Sequence, residues 1–294
     1  MENMISRVFA DTDLCCGEGP LWDAARGRML YVDSDRTFLF SADEAGTEHR
    51  TLVDDVQISS VALAKTGYIL LGDRVWHLDP DTGEKKFLFD SVNGEKLFFN
   101  DCIVGPDGRI YAGTYYWTAE GMAKTGKLLR LENGCEPVIL DEGIELSNGL
   151  AFSADDKILY YSDSAKKTIF CYDFDKIRGT VSNKRVFARS QEGIPDGITS
   201  DAEGFVWSAM WYEGAVYRFD PEGKVERILR FPARQTSSVG FGGKNLDTLY
   251  VTSAGALFES PMIPPHFDRN AYLGGKVFCV RPGVKGRREY LANY

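Results

Sequence analysis

A polar residue leading into a short apolar strand recurs six times along this 294-residue chain, at Glu18, Ser59, Asn100, Asn148, Asp196 and Ser238. Successive starts lie 41, 41, 48, 48 and 42 residues apart. Each copy continues through an Asp/Gly turn, a strand ending in Tyr or Trp, and a further strand ending near Asp-Pro. Runs such as Arg28–Val32, Tyr68–Leu71 and Lys157–Tyr161 are rich in β-branched, aromatic and aliphatic residues and are bounded by turn residues, which is strand and not helix chemistry. No segment sustains the three-four apolar spacing of an amphipathic helix over four turns. A period of about 40 to 50 residues is that of a four-stranded propeller blade. The expected fold is therefore all-β, a six-bladed β-propeller. Each sheet has two apolar faces that only its neighbours cover, so residues 1–294 are expected to form a single domain. The segment Ile5–Phe9 precedes the first unit and is expected to pair with the last blade, closing the ring and removing a free edge.

Two stretches interrupt the repeat, Tyr115 to Gly126 and Ser253 to Gly275, each rich in Gly, Pro and aromatic residues. They are expected to overhang one face, where propellers carry function. The formal charge of −9, without runs of like sign, gives no footprint for nucleic acid or an anionic membrane. No window approaches the apolar length of a membrane helix. The start Met1–Arg7 does not read as a signal peptide. A cytoplasmic location follows as the expectation. The six cysteines lack Cys-x-x-Cys spacing, which suits reduced thiols in such a compartment.

Only three histidines occur, His49, His77 and His266, too far apart for zinc-hydrolase or imidazole-triad designs. Chemistry must then rest on oxygen donors. The inner strands of a propeller converge on its channel, so Glu18, Asn100, Asn148 and Asp196 are brought together at equivalent blade positions. Two carboxylates and two amide oxygens form a site for a hard divalent cation such as Ca, Mg or Mn, with Zn also possible. The competing reading is that Asn148-Gly149 and Asp196-Gly197 are ordinary turn dipeptides; their recurrence at one phase of the repeat argues against it.

Five segments in register, Gly17–Trp22, Asn100-Asp101, Ser147–Leu150, Pro195–Gly197 and Phe241–Asn245, make the chain resemble the SMP-30/gluconolactonase/regucalcin-like family over nearly its whole length. That resemblance implies one divalent ion (Ca, Zn, Mn, Mg or Fe(II)) on the residues matching Glu18, Asn148 and Asp196. It also implies that Asn100 faces the substrate, and that the reaction is hydrolysis of a sugar-acid lactone. The chemistry is consistent: an ion with open positions polarises a carbonyl and acidifies water. Asp196 is then the expected general base, Glu18 a charge-balancing ligand, Asn100 a donor to the oxyanion or a substrate hydroxyl, and Asp101 the residue that orients their loop.

The chain departs from that pattern where a substrate-gripping arginine is common: Phe98 stands there. Gly113–Thr118 is aromatic where the resemblance to mammalian members implies acidic residues, and Met210–Tyr212 is aromatic as well. Phe98, Tyr115, Trp117 and Trp211, with Asp101 beside Asn100, are therefore expected to meet the substrate, and the rings to favour a flatter or less hydroxylated one. Asp163 reads as a strand-closing turn residue, with support of the metal shell as its alternative, His266 as a surface residue with an overhang of the channel as its alternative, and Lys276 as surface. The reading is a metal-dependent lactonase or esterase acting on a small molecule. Its rivals are a non-catalytic calcium-binding regulatory protein, a phosphotriester hydrolase of the same architecture, and a biosynthetic enzyme for a non-sugar intermediate.

Overall fold

In the computed structural model, residues 6–118, 120–257 and 262–294 are described, and among them every regular element is a β-strand. Met1–Ile5, and Ala119 and Phe258–Pro261 of the two insertions, lie outside the described residues. Six four-stranded antiparallel sheets form the blades of a β-propeller. Blade one runs Gly17–Asp23, Arg28–Asp33, Phe38–Asp43, His49–Val53, from the channel outward. The innermost strands of blades two to six are Ser60–Ala64, Phe99–Val104, Ser147–Phe152, Ile194–Ser200 and Thr236–Gly242. The sixth blade takes its outer strand from the amino terminus, where Arg7–Ala10 pairs antiparallel with Val277–Val280.

Burial follows position in the blade. The inner strands Ser147–Phe152 and Thr236–Gly242 are buried at every residue, because both faces of a blade meet a neighbour. The outer strand Thr180–Arg189 is mostly exposed and carries Lys184 and Arg185, charges that keep an edge from pairing with another chain. The six hydrophobic clusters among the described residues each bridge two adjacent blades. Leu30, Val32 and Leu39 of blade one, for example, pack on Val61, Tyr68 and Leu70 of blade two. Phe9, Tyr250 and Val277 pack on Trp22, Met29 and Tyr31, joining blade six to blade one. No blade has a core of its own, so the apolar free energy of about 25 cal/mol per Å² buried is realised only between neighbours.

The carboxyl-terminal segment crosses one end of the ring without regular structure. It bridges Asp201 with Gly286 and Ala64 with Ala292, Arg287 pairs with Asp156 at 2.6 Å, and the Asn293 amide donates to the Gly108 carbonyl. Four successive blades are thereby tied together at that end.

Candidate active site

In five of the six blades the innermost strand breaks register at the same place. The breaks fall between Glu18 and Leu21, Phe99 and Asp101, Ser147 and Leu150, Pro195 and Ile198, and Thr236 and Val239. A bulge leaves residues out of the ladder and re-aims their side chains. Asn100, Asn148 and Asp196 lie inside these breaks and Glu18 at the start of one. Asn148-Gly149 and Asp196-Gly197 sit within strands, not in turns. Their glycines serve close packing: a Cβ on Gly149 would lie 2.2 Å from the Ile198 amide nitrogen, and one on Gly197 2.7 Å from Ser238 Cα.

These breaks bring Glu18, Asn100, Asn148 and Asp196 to the floor of one cavity at the channel mouth, about 260 Å³ in volume. Asp196 and Asn148 are only 4 % and 8 % exposed. Asn148 donates from Nδ2 to Ser164 Oγ at 3.0 Å, and Ser164 donates to the Pro195 carbonyl at 2.6 Å, so one hydroxyl links two blades beneath the site. Asn100 donates from Nδ2 to the Ser147 carbonyl at 2.7 Å and to Asn148 Oδ1 at 3.1 Å. Both of its amide protons are committed. The sequence suggested Asn100 as a donor to substrate, whereas the structure leaves its Oδ1 as the open atom.

Asp196 Oδ1 is buried and has no hydrogen-bond partner among the described residues. Burial, then the charges of Asp196 and Asp101, hold the Glu18 carboxyl well above the usual carboxylate range. Burial and Asp101 do the same to Asp196, against the pull of the Asn148 side chain. An orphaned buried carboxylate oxygen beside a second acid and an amide oxygen is costly without a cation and favourable with one, so this donor set fits a divalent ion. Among the described residues no three His, Cys, Asp or Glu side chains are grouped to hold a metal, so a third protein donor beside Glu18 and Asp196 would have to be an amide, hydroxyl or backbone oxygen.

The approach to Glu18 and Asn148 is clamped by a repeated device. Asp33 accepts the amides of Cys15 and Cys16 at 2.8 and 3.0 Å, and Asp163 accepts those of Glu145 and Leu146, both at 3.1 Å. Both aspartates are fully buried and end the second strand of their blades. Asp163, read from the sequence as a turn residue, thus fixes the segment entering the Asn148 strand, and Lys166 Nζ lies 2.9 Å from it.

The walls of the cavity are Tyr115, Leu146, Ile194, Trp211, Tyr212 and Met262, with Cys16, Ser34 and Asp35 on one side. Tyr115 comes from the first insertion and Met262 from the second, so both meet the site. Phe98 and Trp117 are not among the residues that line it. Phe98 is 42 % exposed and stacks edge-on to Tyr116 at 6.0 Å; Trp117 donates its indole N–H to the Glu145 carbonyl at 2.7 Å. Asp101 lines a different cavity farther along the channel, with Ser60, Ser238 and Glu289. Its carboxyl accepts the Cys102 amide at 2.7 Å and burial pushes its pKa up to about 7.

A family model for the SMP-30/gluconolactonase/LRE-like region matches residues 16–255, from just before Glu18 to the end of the sixth inner hairpin. The chain belongs to this family. Among SMP-30/gluconolactonase/LRE-like proteins it is 33 % identical over 257 residues to pentonolactonase XacC of Haloferax volcanii, covering 85 % of each chain. It is 34 % identical over 284 residues to regucalcin of Macaca fascicularis, covering 94 % of each. The fold superposes on a luciferin-regenerating enzyme with a TM-score of 0.89 at 26 % identity, over 99 % of this chain and 100 % of that one. It superposes on a calcium-binding protein, regucalcin, from Agrobacterium tumefaciens with a TM-score of 0.87 at 26 % identity, over 99 % and 98 %.

Sequence reasoning found the polar floor of this SMP-30/gluconolactonase/LRE-like site but missed Ser164, Tyr212, Met262, Cys16, Asp35 and the aspartate clamps. One signal was available for the clamps: Asp33 and Asp163 end the second strands of two different repeats. Met262 and Asp35 come from loops of unlike length, for which periodicity offers no guide. Glu289 was missed as well. It reaches the channel from the carboxyl-terminal segment, and burial raises its carboxyl to about 7.

Proposed function

We propose that this protein is a divalent-metal-dependent lactonase that uses Glu18, Asn148 and Asp196 to hold the ion. The observation that carries the reading is the unpartnered Asp196 Oδ1, buried beside Glu18 and Asn148 at the floor of a ligand-sized cavity. When bound, the ion supplies polarisation of the ester carbonyl and lowers the pKa of water. The chain's own residues provide the rest. Asp196 accepts a proton from the attacking water as its oxygen bonds to the acyl carbon, and returns it to the ring oxygen as the acyl C–O bond breaks. Asn100 locks the Asn148 amide through its 3.1 Å hydrogen bond and offers Oδ1 to the water or to a substrate hydroxyl. Glu18 balances charge. The similarity to a pentonolactonase supports a lactone substrate, and the similarity to a calcium-binding regucalcin supports calcium.

The test is hydrolysis of a lactone panel followed by proton release, on chelator-treated protein with Ca, Mg, Mn, Zn or Fe(II) restored singly. Activity should appear only with an ion, and Asp196→Asn, which keeps side-chain shape, should lower kcat/KM by at least about 10³-fold. Tight calcium binding without turnover of any lactone, ester or phosphotriester would instead establish a non-catalytic calcium-binding protein. Faster turnover of an aryl phosphotriester than of every lactone would move the reading to phosphoryl chemistry.

A further inference from the structure

The walls of the cavity specify the substrate more narrowly than its floor does, an inference that rests on the lactonase reading. Tyr115 and Trp211 present rings, and Leu146, Ile194 and Met262 add aliphatic surface. No Lys, Arg or His is among the described residues that line it. Its charged residues are all acidic: Glu18, Asp196 and, toward one side, Asp35. Tyr115 shares this wall with Asp35, the acidic side chain that further negative charge would meet there. The side chain at the arginine position, Phe98, packs on Tyr116 outside the cavity and supplies no replacement grip.

We infer that the substrate is an uncharged lactone whose ring carries an aryl or alkyl substituent, seated against Tyr115 and Trp211, and not a polyhydroxylated or carboxylated sugar lactone. The physical grounds are twofold. Each sugar hydroxyl placed against Leu146, Ile194 or Met262 would lose water without gaining a partner, at about 1–3 kcal/mol. With the ion balanced by Glu18 and Asp196, a carboxylate would enter a cavity whose remaining charged residue is the acidic Asp35, with no cationic side chain among the described residues lining it. An apolar ring, by contrast, gains from the same walls.

Two measurements test this separately from catalysis. Binding of unreactive lactams is read by calorimetry on the metal-loaded protein: 3,4-dihydro-2-quinolone, gluconolactam and pyroglutamate stand for the aryl, polyhydroxy and anionic classes. The aryl lactam should bind at least about 10-fold more tightly than either of the others. Trp211→Ala and Tyr115→Ala should each shrink that preference by about 5-fold or more, while Trp211→Phe should retain most of it. Equal binding, a reversed order, or no binding of the aryl lactam at millimolar concentration would overturn the inference. Turnover of 3,4-dihydrocoumarin, glucono-δ-lactone and 5-oxotetrahydrofuran-2-carboxylate then follows the same order. If the lactam preference holds but no lactone is hydrolysed, the lactonase reading fails while the assignment of the walls stands.

Discussion

Blade two and blade four are built from the same four-strand plan, yet only one of them contributes to the candidate site. In blade two the inner strand pairs without interruption, from Ser60 opposite Leu71 to Ala64 opposite Gly67. In blade four the pairing skips from Ser147 to Leu150, and Asn148 is released toward the cavity. Blades one, three and five share the break and supply Glu18, Asn100 and Asp196. Blade six also breaks, between Thr236 and Val239, but there Ser237 turns its hydroxyl to the Gly17 carbonyl at 2.5 Å and stitches the ring closed. In these blades the break lies where an inner-strand side chain meets the channel, and the residue type then decides whether it faces the cavity or stitches the ring. Blade two's Ser60 lines the cavity with Asp101 and Glu289 instead, and its Oγ has no hydrogen-bond partner among the described residues.

The sharpest way to break the comparison is to remove the close approach that the bulges permit. Gly149→Ala would drive a Cβ onto the Ile198 backbone, so stability should fall by about 2–4 kcal/mol, with a Tm drop of roughly 5–10 °C and loss of metal binding. Retained Tm and affinity would show that the bulge can shift freely. Next, Asp163→Ala deletes the acceptor for the Glu145 and Leu146 amides ahead of Asn148. Metal affinity should weaken about 10- to 100-fold by calorimetry, and an unchanged Kd would make Asp163 a mere turn residue.

Smaller effects are expected at the other cavity. Glu289 is raised to about 7 by burial and has no hydrogen bond or ion pair among the described residues. Below the unfolded-state pKa both states hold the proton. As pH rises from there through 7, the unfolded chain ionises first and the folded state loses ground. Glu289→Gln should therefore be neutral near pH 4 and stabilise by about 1–2 kcal/mol at pH 8 in denaturant titrations; equal stabilisation at both pH values would refute the account. Ser60→Ala should change lactone hydrolysis by less than about 2-fold. It should also leave stability equal or higher by up to about 1 kcal/mol, since it removes a buried hydroxyl without a partner. A large loss in either would mean that the regular blade contributes to the site after all.

The fold was legible because propeller blades repeat: six polar blade starts at near-constant spacing translate directly into six inner strands, five of them bulged at that position. The polar floor of the cavity follows from the same phase, since symmetry around a channel turns equal sequence offsets into spatial neighbours. What periodicity could not express was how the residues are held and enclosed. The commitment of both Asn100 amide protons depends on a contact across two blades. The separation of Tyr115 and Trp211, which line the cavity, from Phe98 and Trp117, which do not, depends on loop geometry. The aromatic character of the region was visible in the sequence, but its division into wall and packing was not. The short hairpin of Ser91–Val92 with Glu95–Lys96 also escaped notice, because it adds to the repeat without disturbing its phase.

The pairing of Arg7–Ala10 with Val277–Val280 has a temporal meaning. At roughly 5–20 residues per second, the ribosome exposes the first strand some 15 to 50 seconds before its partner exists. Throughout that interval the nascent chain carries an unmatched strand at its front and an incomplete blade arc behind it, both able to recruit strangers. That waiting strand is only four residues long, with Arg7 and Val8 exposed and Phe9 and Ala10 buried in the closed ring. Its brevity is a safeguard for a ring that cannot close before Val277–Val280 has been made.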